Sequence, residues 1–111
     1  MLAKKFRLPV KEFLSKKPKI IKTSNFYFRY LANQLPFDRV GLVISKKTEK
    51  SSVRRNRVKR IIFEYFRQGK NQEKNTSKKG IDILISPAAK IFKLEAKEVI
   101  EIISKEIFLV K

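Results

Sequence analysis

Residues 51–68 read SSVRRNRVKRIIFEYFRQ, and how this stretch folds decides how the rest of the chain can be arranged. At 100° per residue, Val58, Ile61, Ile62 and Tyr65 fall on one face with Phe66 at its edge. Asn56, Arg57, Arg60 and Arg67 fall opposite, and Lys59 lies on a flank. Ser51 or Ser52 can supply an N-cap oxygen, and Gly69 stands where a helix would stop. The spacing predicts an amphipathic helix with a basic outer side.

The first two turns of that helix are crowded. Arg54, Arg55, Arg57, Lys59 and Arg60 sit within seven residues, and no acid follows before Glu64. Like charges at helical spacing repel, and cations at a helix N-terminus oppose the macrodipole, each effect costing about a few tenths of a kcal/mol. A helix shaped for stability alone would carry Asp or Glu there, and an ordinary solvated face would mix signs. The pattern points to a helix that binds phosphates, with Asn56 placed to hydrogen-bond a sugar or base edge.

Working outward, Ile44-Ser45-Lys46-Lys47 precedes the helix, and Val53-x-Arg55-Asn56-Arg57-Val58-Lys59-Arg60 opens it. Together these resemble the block of the bacterial ribonuclease P protein subunit, in which a strand ending in Ser-Lys-Lys leads through a short loop into a helix carrying Arg-Asn-Arg-x-Lys-Arg. The resemblance implies that Lys46, Lys47, Arg54, Arg55, Asn56, Arg57, Lys59 and Arg60 contact RNA. It implies two partners, the ribonuclease P RNA and precursor tRNA. In such an enzyme the RNA and its bound Mg²⁺ cut the 5′ leader from precursor tRNA, and the protein assists. It also implies a cleft between the first helix and an open sheet face, where leader nucleotides meet aromatic side chains. Phe13 matches that role, with Tyr27 and Tyr30 as sheet partners. Two departures stand out. The family's first helix runs longer and bears a second aromatic one turn on, where this chain has Lys17 before Pro18. The strand before the last helix often ends in a basic residue, where this chain has Ser86-Pro87.

Composition sets the outer limits. With 111 residues and 42% hydrophobic content, the whole chain is expected to form a single RNA-binding domain. Its net charge of +18 calls for a polyanionic partner, of which structured RNA or DNA is the first candidate and an anionic membrane surface the second. A membrane role fits poorly, because the basic helix keeps only an ordinary core-facing stripe. There is no run of 18 apolar residues, and the N-terminus lacks the apolar core of a secretory signal, so a cytoplasmic protein is expected. Cys and His are absent, which excludes disulfides, a Cys/His zinc site, a thiol nucleophile and a histidine base. A protein-only nuclease would need clustered carboxylates. Asp38 and Asp82 each begin a strand, and Glu95, Glu98 and Glu101 step along a helix as partners for lysines. No catalytic residue, protein-bound metal or cofactor is assigned; the alternative function is another basic RNA-binding protein, such as a small ribosomal protein.

The remaining elements follow from periodicity. Residues 1–8 are basic and expected to be mobile. A short helix is predicted over 10–17 with Val10, Phe13 and Leu14 inward, then strand-like sequence at Ile20 and Ile21 and a turn at Thr23-Ser24-Asn25. Residues 26–31 and 39–45 alternate as strands and, with a short turn between them, predict an antiparallel pair. Residues 69–80 have no apolar side chain and read as a flexible loop. Residues 81–86 form an apolar strand, and 87–109 a final helix with Phe92, Ala96, Val99, Ile100, Ile103 and Ile107 in one stripe. The order is helix, about three strands, Arg-rich helix, strand, helix, which predicts an α/β (α+β) two-layer sandwich. The resemblance implies one mixed sheet of about four strands, with the Arg-rich helix as a crossover between parallel neighbours.

Overall fold

The computed structural model describes residues 7–68 and 80–110. Its elements are α1 (Val10–Leu14), β1 (Lys19–Lys22), β2 (Phe26–Ala32), β3 (Arg39–Leu42), α2 (Ser52–Gln68), β4 (Ile81–Pro87) and α3 (Ala96–Glu106), with 3₁₀ turns at Ala89–Lys93 and Ile107–Leu109. The strands form one mixed four-stranded sheet in the order β1-β2-β4-β3, so the α+β expectation holds.

One pairing differs from expectation. β2 and β3 are not neighbours; β4 lies between them, antiparallel to β2 and parallel to β3. The hairpin is instead β1–β2. β4 takes the central place because it is apolar on both faces. Ile83 and Ile85 are buried on one side and Leu84 on the other, a demand that a strand with neighbours at both edges meets most fully. The turn after β2 packs against the start of β4 at Gly80. A Cβ there would stand 2.0 Å from the Phe37 carbonyl oxygen, so no side chain fits. Gly80 is thus fixed, although the flexible-loop expectation included it; residues 69–79 lie outside the described residues. Leu8 is likewise anchored, buried with its N–H donating to the Val40 carbonyl at 3.1 Å, while residues 1–6 fall outside the description.

The two faces of the sheet are covered unequally. Phe26 and Phe28 of β2, Val40 of β3, and Ile83 and Ile85 of β4 pack against Val58, Ile62 and Phe66 of α2 and Val99 and Ile103 of α3. Burying each such side chain contributes about 1.5–3 kcal/mol. The α2 stripe is rotated from the expected one: Phe66 is buried, while Ile61 and Tyr65 are half-buried. On the opposite face the short α1 segment covers only the middle of β4 and its β3 neighbour, where Phe13 and Leu8 pack on Leu84. α1 stops at Leu14, earlier than the predicted helix, and Leu14 is exposed. Pro18 disfavours the right-handed helical region at Lys17, which turns with φ 53°.

The expected helix over 87–109 is broken. Pro87 ends β4, and the Ala88 N–H donates to the Asn25 carbonyl at 2.8 Å. Ile91 and Phe92 are buried from the 3₁₀ turn, and α3 restarts behind a capping box made by Glu95 and Glu98. The restart resets the helical phase relative to Phe92, leaving Ala96 and Ile100 exposed while Val99, Ile103 and Ile107 stay in the core. No helix among the described residues is long and apolar enough to cross a membrane.

Candidate nucleic-acid interface

Topology gathers the basic residues at one end of the molecule. β3 and β4 are parallel, so both finish where β2 begins, and the chain leaving β3 enters α2 there. The connection is a fixed turn. Ser45 Oγ lies 2.9 Å from Thr48 Oγ1 and accepts the Thr48 N–H at 3.1 Å, which holds Lys46 and Lys47 out in solvent. Ser51 Oγ accepts the Arg54 N–H at 3.3 Å and caps α2, as the sequence allows.

The helix presents its cations in three ways. Arg54, Asn56, Lys59 and Arg60 are exposed. Arg55 precedes Val58 and Ile62 on the sheet-facing side; it is half-buried, and its Nε is shielded without a hydrogen-bond partner. Arg57 is half-buried as well, and its Nη2 donates to the Leu94 carbonyl at 2.8 Å, tying α2 to the corner between the 3₁₀ turn and α3. α2 has no acid in its first turn. The acid comes from upstream: Glu49 accepts the Ser51 N–H at 3.1 Å and stands 3.9 Å from Arg54. Farther along, a hydrogen bond from Arg67 holds the Glu64 carboxyl below the usual range and raises the Arg67 guanidinium. The cations are thus paired at the end of α2 and largely unpaired at its start.

The three aromatics expected to share a cleft do not come together. Phe13 is 1% exposed, its ring packed with Leu8 and Leu84, so it offers no face to a base. Tyr30 points to the helix-covered side with Phe28 and packs on the main core. Tyr27 alone lies on the open face, half-buried, directly across from Lys22 of β1 and Ser86 of β4. Beside it is a residue that periodicity did not single out: the Arg29 guanidinium carbon stands 5.3 Å from the centre of the Tyr27 ring. An outward polar residue in a strand carries no sequence signal that its face is left uncovered. Ile20 and Val43, 56% and 39% exposed, widen the same open area.

The carboxylates are structural. Asp82 is 4% exposed; its Oδ1 accepts Arg39 Nε and Asn33 Nδ2 at 2.9 Å each, and its Oδ2 accepts Arg39 Nη2 at 2.8 Å. Those bonds raise the Arg39 guanidinium pKa. Asp38 Oδ1 accepts the Ile81 N–H at 2.9 Å. Among the described residues, no three His, Cys, Asp or Glu side chains gather closely enough to hold a metal ion.

A cationic helix end beside a half-open sheet face with one aromatic is a surface that can hold RNA phosphates and an unpaired base. Comparison with known proteins gives it a family. The family model described as Ribonuclease P matches residues 11–107. The chain belongs to the ribonuclease P protein family. It is 35% identical over 74 residues to the ribonuclease P protein component of Legionella pneumophila strain Corby, covering 67% of this chain and 59% of that one. It is 44% identical over 59 residues to that of Blochmanniella floridana, covering 53% and 49%. The matched stretch thus spans between half and three-fifths of these curated relatives. The ribonuclease P protein of Thermotoga maritima superposes with a TM-score of 0.67 at 28% identity, over 86% of this chain and 88% of that one. The Staphylococcus aureus protein superposes with a TM-score of 0.77 at 20% identity, over 96% and 95%, and shares the fold.

Proposed function

We propose that this chain is the protein subunit of a ribonuclease P, which binds the catalytic RNA and the 5′ leader of precursor tRNA and assists removal of the leader. The observation that carries this reading is the unneutralised start of α2. Arg54, Asn56, Lys59 and Arg60 are exposed there beside Lys46 and Lys47, at the sheet end where the open face begins. The α2 end and the 45–50 turn hold phosphates of the ribonuclease P RNA; the open face around Tyr27 takes the single-stranded leader. Phe13 acts only by holding α1 in place. The Mg²⁺ needed for the reaction sits on the RNA, and this chain supplies no catalytic group.

The test is reconstitution with a bacterial ribonuclease P RNA at low Mg²⁺, with cleavage of precursor tRNA as the readout. The protein should stimulate cleavage by the RNA and cleave nothing alone. Failure to stimulate, with RNA binding retained, would favour a basic RNA-binding protein of another kind. Metal-dependent cleavage by the protein alone would overturn the assignment of chemistry to the RNA.

A further inference from the structure

Between Asp38 and Glu64 the chain carries nine lysines and arginines and a single acid, Glu49. An acid in the midst of a phosphate-binding surface opposes its own ligand, so its place there calls for a reason. Lys46, Lys47 and Lys50 around it are exposed, whereas the Glu49 side chain is folded in and only 14% exposed. Its N–H donates to the Ser45 carbonyl at 3.2 Å and closes the turn. One carboxylate oxygen accepts the Ser51 N–H at 3.1 Å, and the other stands 3.9 Å from Nη1 of Arg54. A glutamine would accept the Ser51 N–H equally, so that bond alone does not require a charge. So loose and exposed an ion pair adds little stability. What the carboxylate does change is the charge that an approaching RNA meets.

We infer that Glu49 is a selectivity residue of this RNA-binding end: it tethers the Arg54 guanidinium beside the 45–50 turn and fixes one negative charge among the cations. The inference rests on the reading of this end as the site for the ribonuclease P RNA and deepens it. Unspecific binding needs only phosphates and cations free to meet them, which any regular strand supplies. A carboxylate fixed among those cations repels a phosphate laid against the turn and keeps Arg54 from swinging out to reach it. An RNA whose folded backbone bends round the turn escapes that repulsion and meets Arg54 where Glu49 holds it. The favoured class is therefore folded RNA of fitting shape, and plain duplexes and extended single strands are disfavoured. The selection acts against the wrong ligand and leaves the right one nearly untouched.

The experiment measures binding of the full chain to a bacterial ribonuclease P RNA, a plain RNA duplex and single-stranded poly(U) over a salt series. The proteins are the wild type, Glu49→Gln and Glu49→Gln with Arg54→Ala, each with a melting curve. Glu49→Gln keeps an acceptor for the Ser51 N–H, so it should melt close to the wild type. Its affinity for the duplex and poly(U) should rise about fivefold, the weight of one unit charge at about 4 Å in water. Their salt slopes should steepen by roughly 0.7–0.9 as Arg54 is released, and removing Arg54 as well should return them to the wild-type value. Affinity for the ribonuclease P RNA should change by less than about twofold, so its margin over the other two shrinks. An equal rise for all three RNAs would mark Glu49 as a plain surface charge and overturn the inference. Unchanged affinities for the duplex and poly(U) would overturn it too, as would early melting with equal losses for all three. Each of those results leaves the RNA-subunit reading standing. A wild-type chain that binds ribonuclease P RNA no better than the duplex would overturn that reading, and the selectivity with it.

Discussion

Phe28 and Arg29 are consecutive residues of one strand, and they live on opposite sides of the molecule. Phe28 is wholly buried under α2 and α3; Arg29 faces outward with a donor left without an acceptor. A strand sends alternate side chains to alternate faces, so β2 can spend one face on the core and keep the other for a ligand. On the proposed reading, the difference shows how a short chain combines a fold with an RNA-binding surface: the same backbone serves both, and the two sets of side chains do not compete for positions.

The comparison breaks most visibly at the core. Phe28→Ala removes a fully enclosed ring between the sheet and two helices and should destabilise the protein by about 3–5 kcal/mol, measured by urea unfolding. If RNA binding per folded molecule also fell, the two faces would be coupled and the separation would be wrong. A smaller effect is expected at the far end of the open face. Asp82→Asn weakens a carboxylate that accepts three hydrogen bonds and should cost about 2 kcal/mol, because Arg39 is partly exposed and can rehydrate. Its RNA affinity should be unchanged, since Asp82 lies away from the α2 end. A change in affinity without a loss of stability would place the carboxylate in the interface.

How much of this was legible in advance follows the same division. Features governed by local periodicity could be read: the α2 helix with a serine cap at its start, the alternation of residues 26–31, and Glu101 as a partner for a lysine on the last helix. The antiparallel pairing expected of β2 and β3 failed because a short turn favours neighbours, whereas β4, some forty residues later, competes for the same edge and is apolar on both faces. That double-sided apolar run, Ile81 through Ile85 interrupted only by Asp82, was the available signal for a central strand. The break before α3 also had a signal, the Glu95 and Glu98 spacing of a capping box, masked by an apolar stripe that seemed continuous through Phe92. Arg29 had none. Whether an outward residue is covered depends on where α1 ends, and that is a matter of tertiary packing.

The smallest expected effects lie on α2, where two arginines that a helical wheel treats alike are separated by the structure. Arg57 donates to the Leu94 carbonyl, whereas Arg60 is exposed and makes no hydrogen bond or ion pair among the described residues. Arg57→Ala removes a charged donor from a half-buried carbonyl that water can partly satisfy, and should cost about 1 kcal/mol. Arg60→Ala removes like-charge repulsion and adds helix propensity, so stability should stay within about 0.5 kcal/mol of the wild type or rise. If both also reach phosphates, each should lower the log–log salt slope of RNA binding by roughly 0.7–0.9. Arg57 can do so because the bond to Leu94 uses one of its five N–H groups. Melting curves and RNA affinities over a salt series for the two variants would settle the matter. A slope loss in Arg60→Ala with unchanged melting marks a residue that serves binding alone. Should Arg60→Ala melt early, or leave the slope untouched, the exposed side of α2 would be structural and the division between fold and interface would have to be drawn elsewhere.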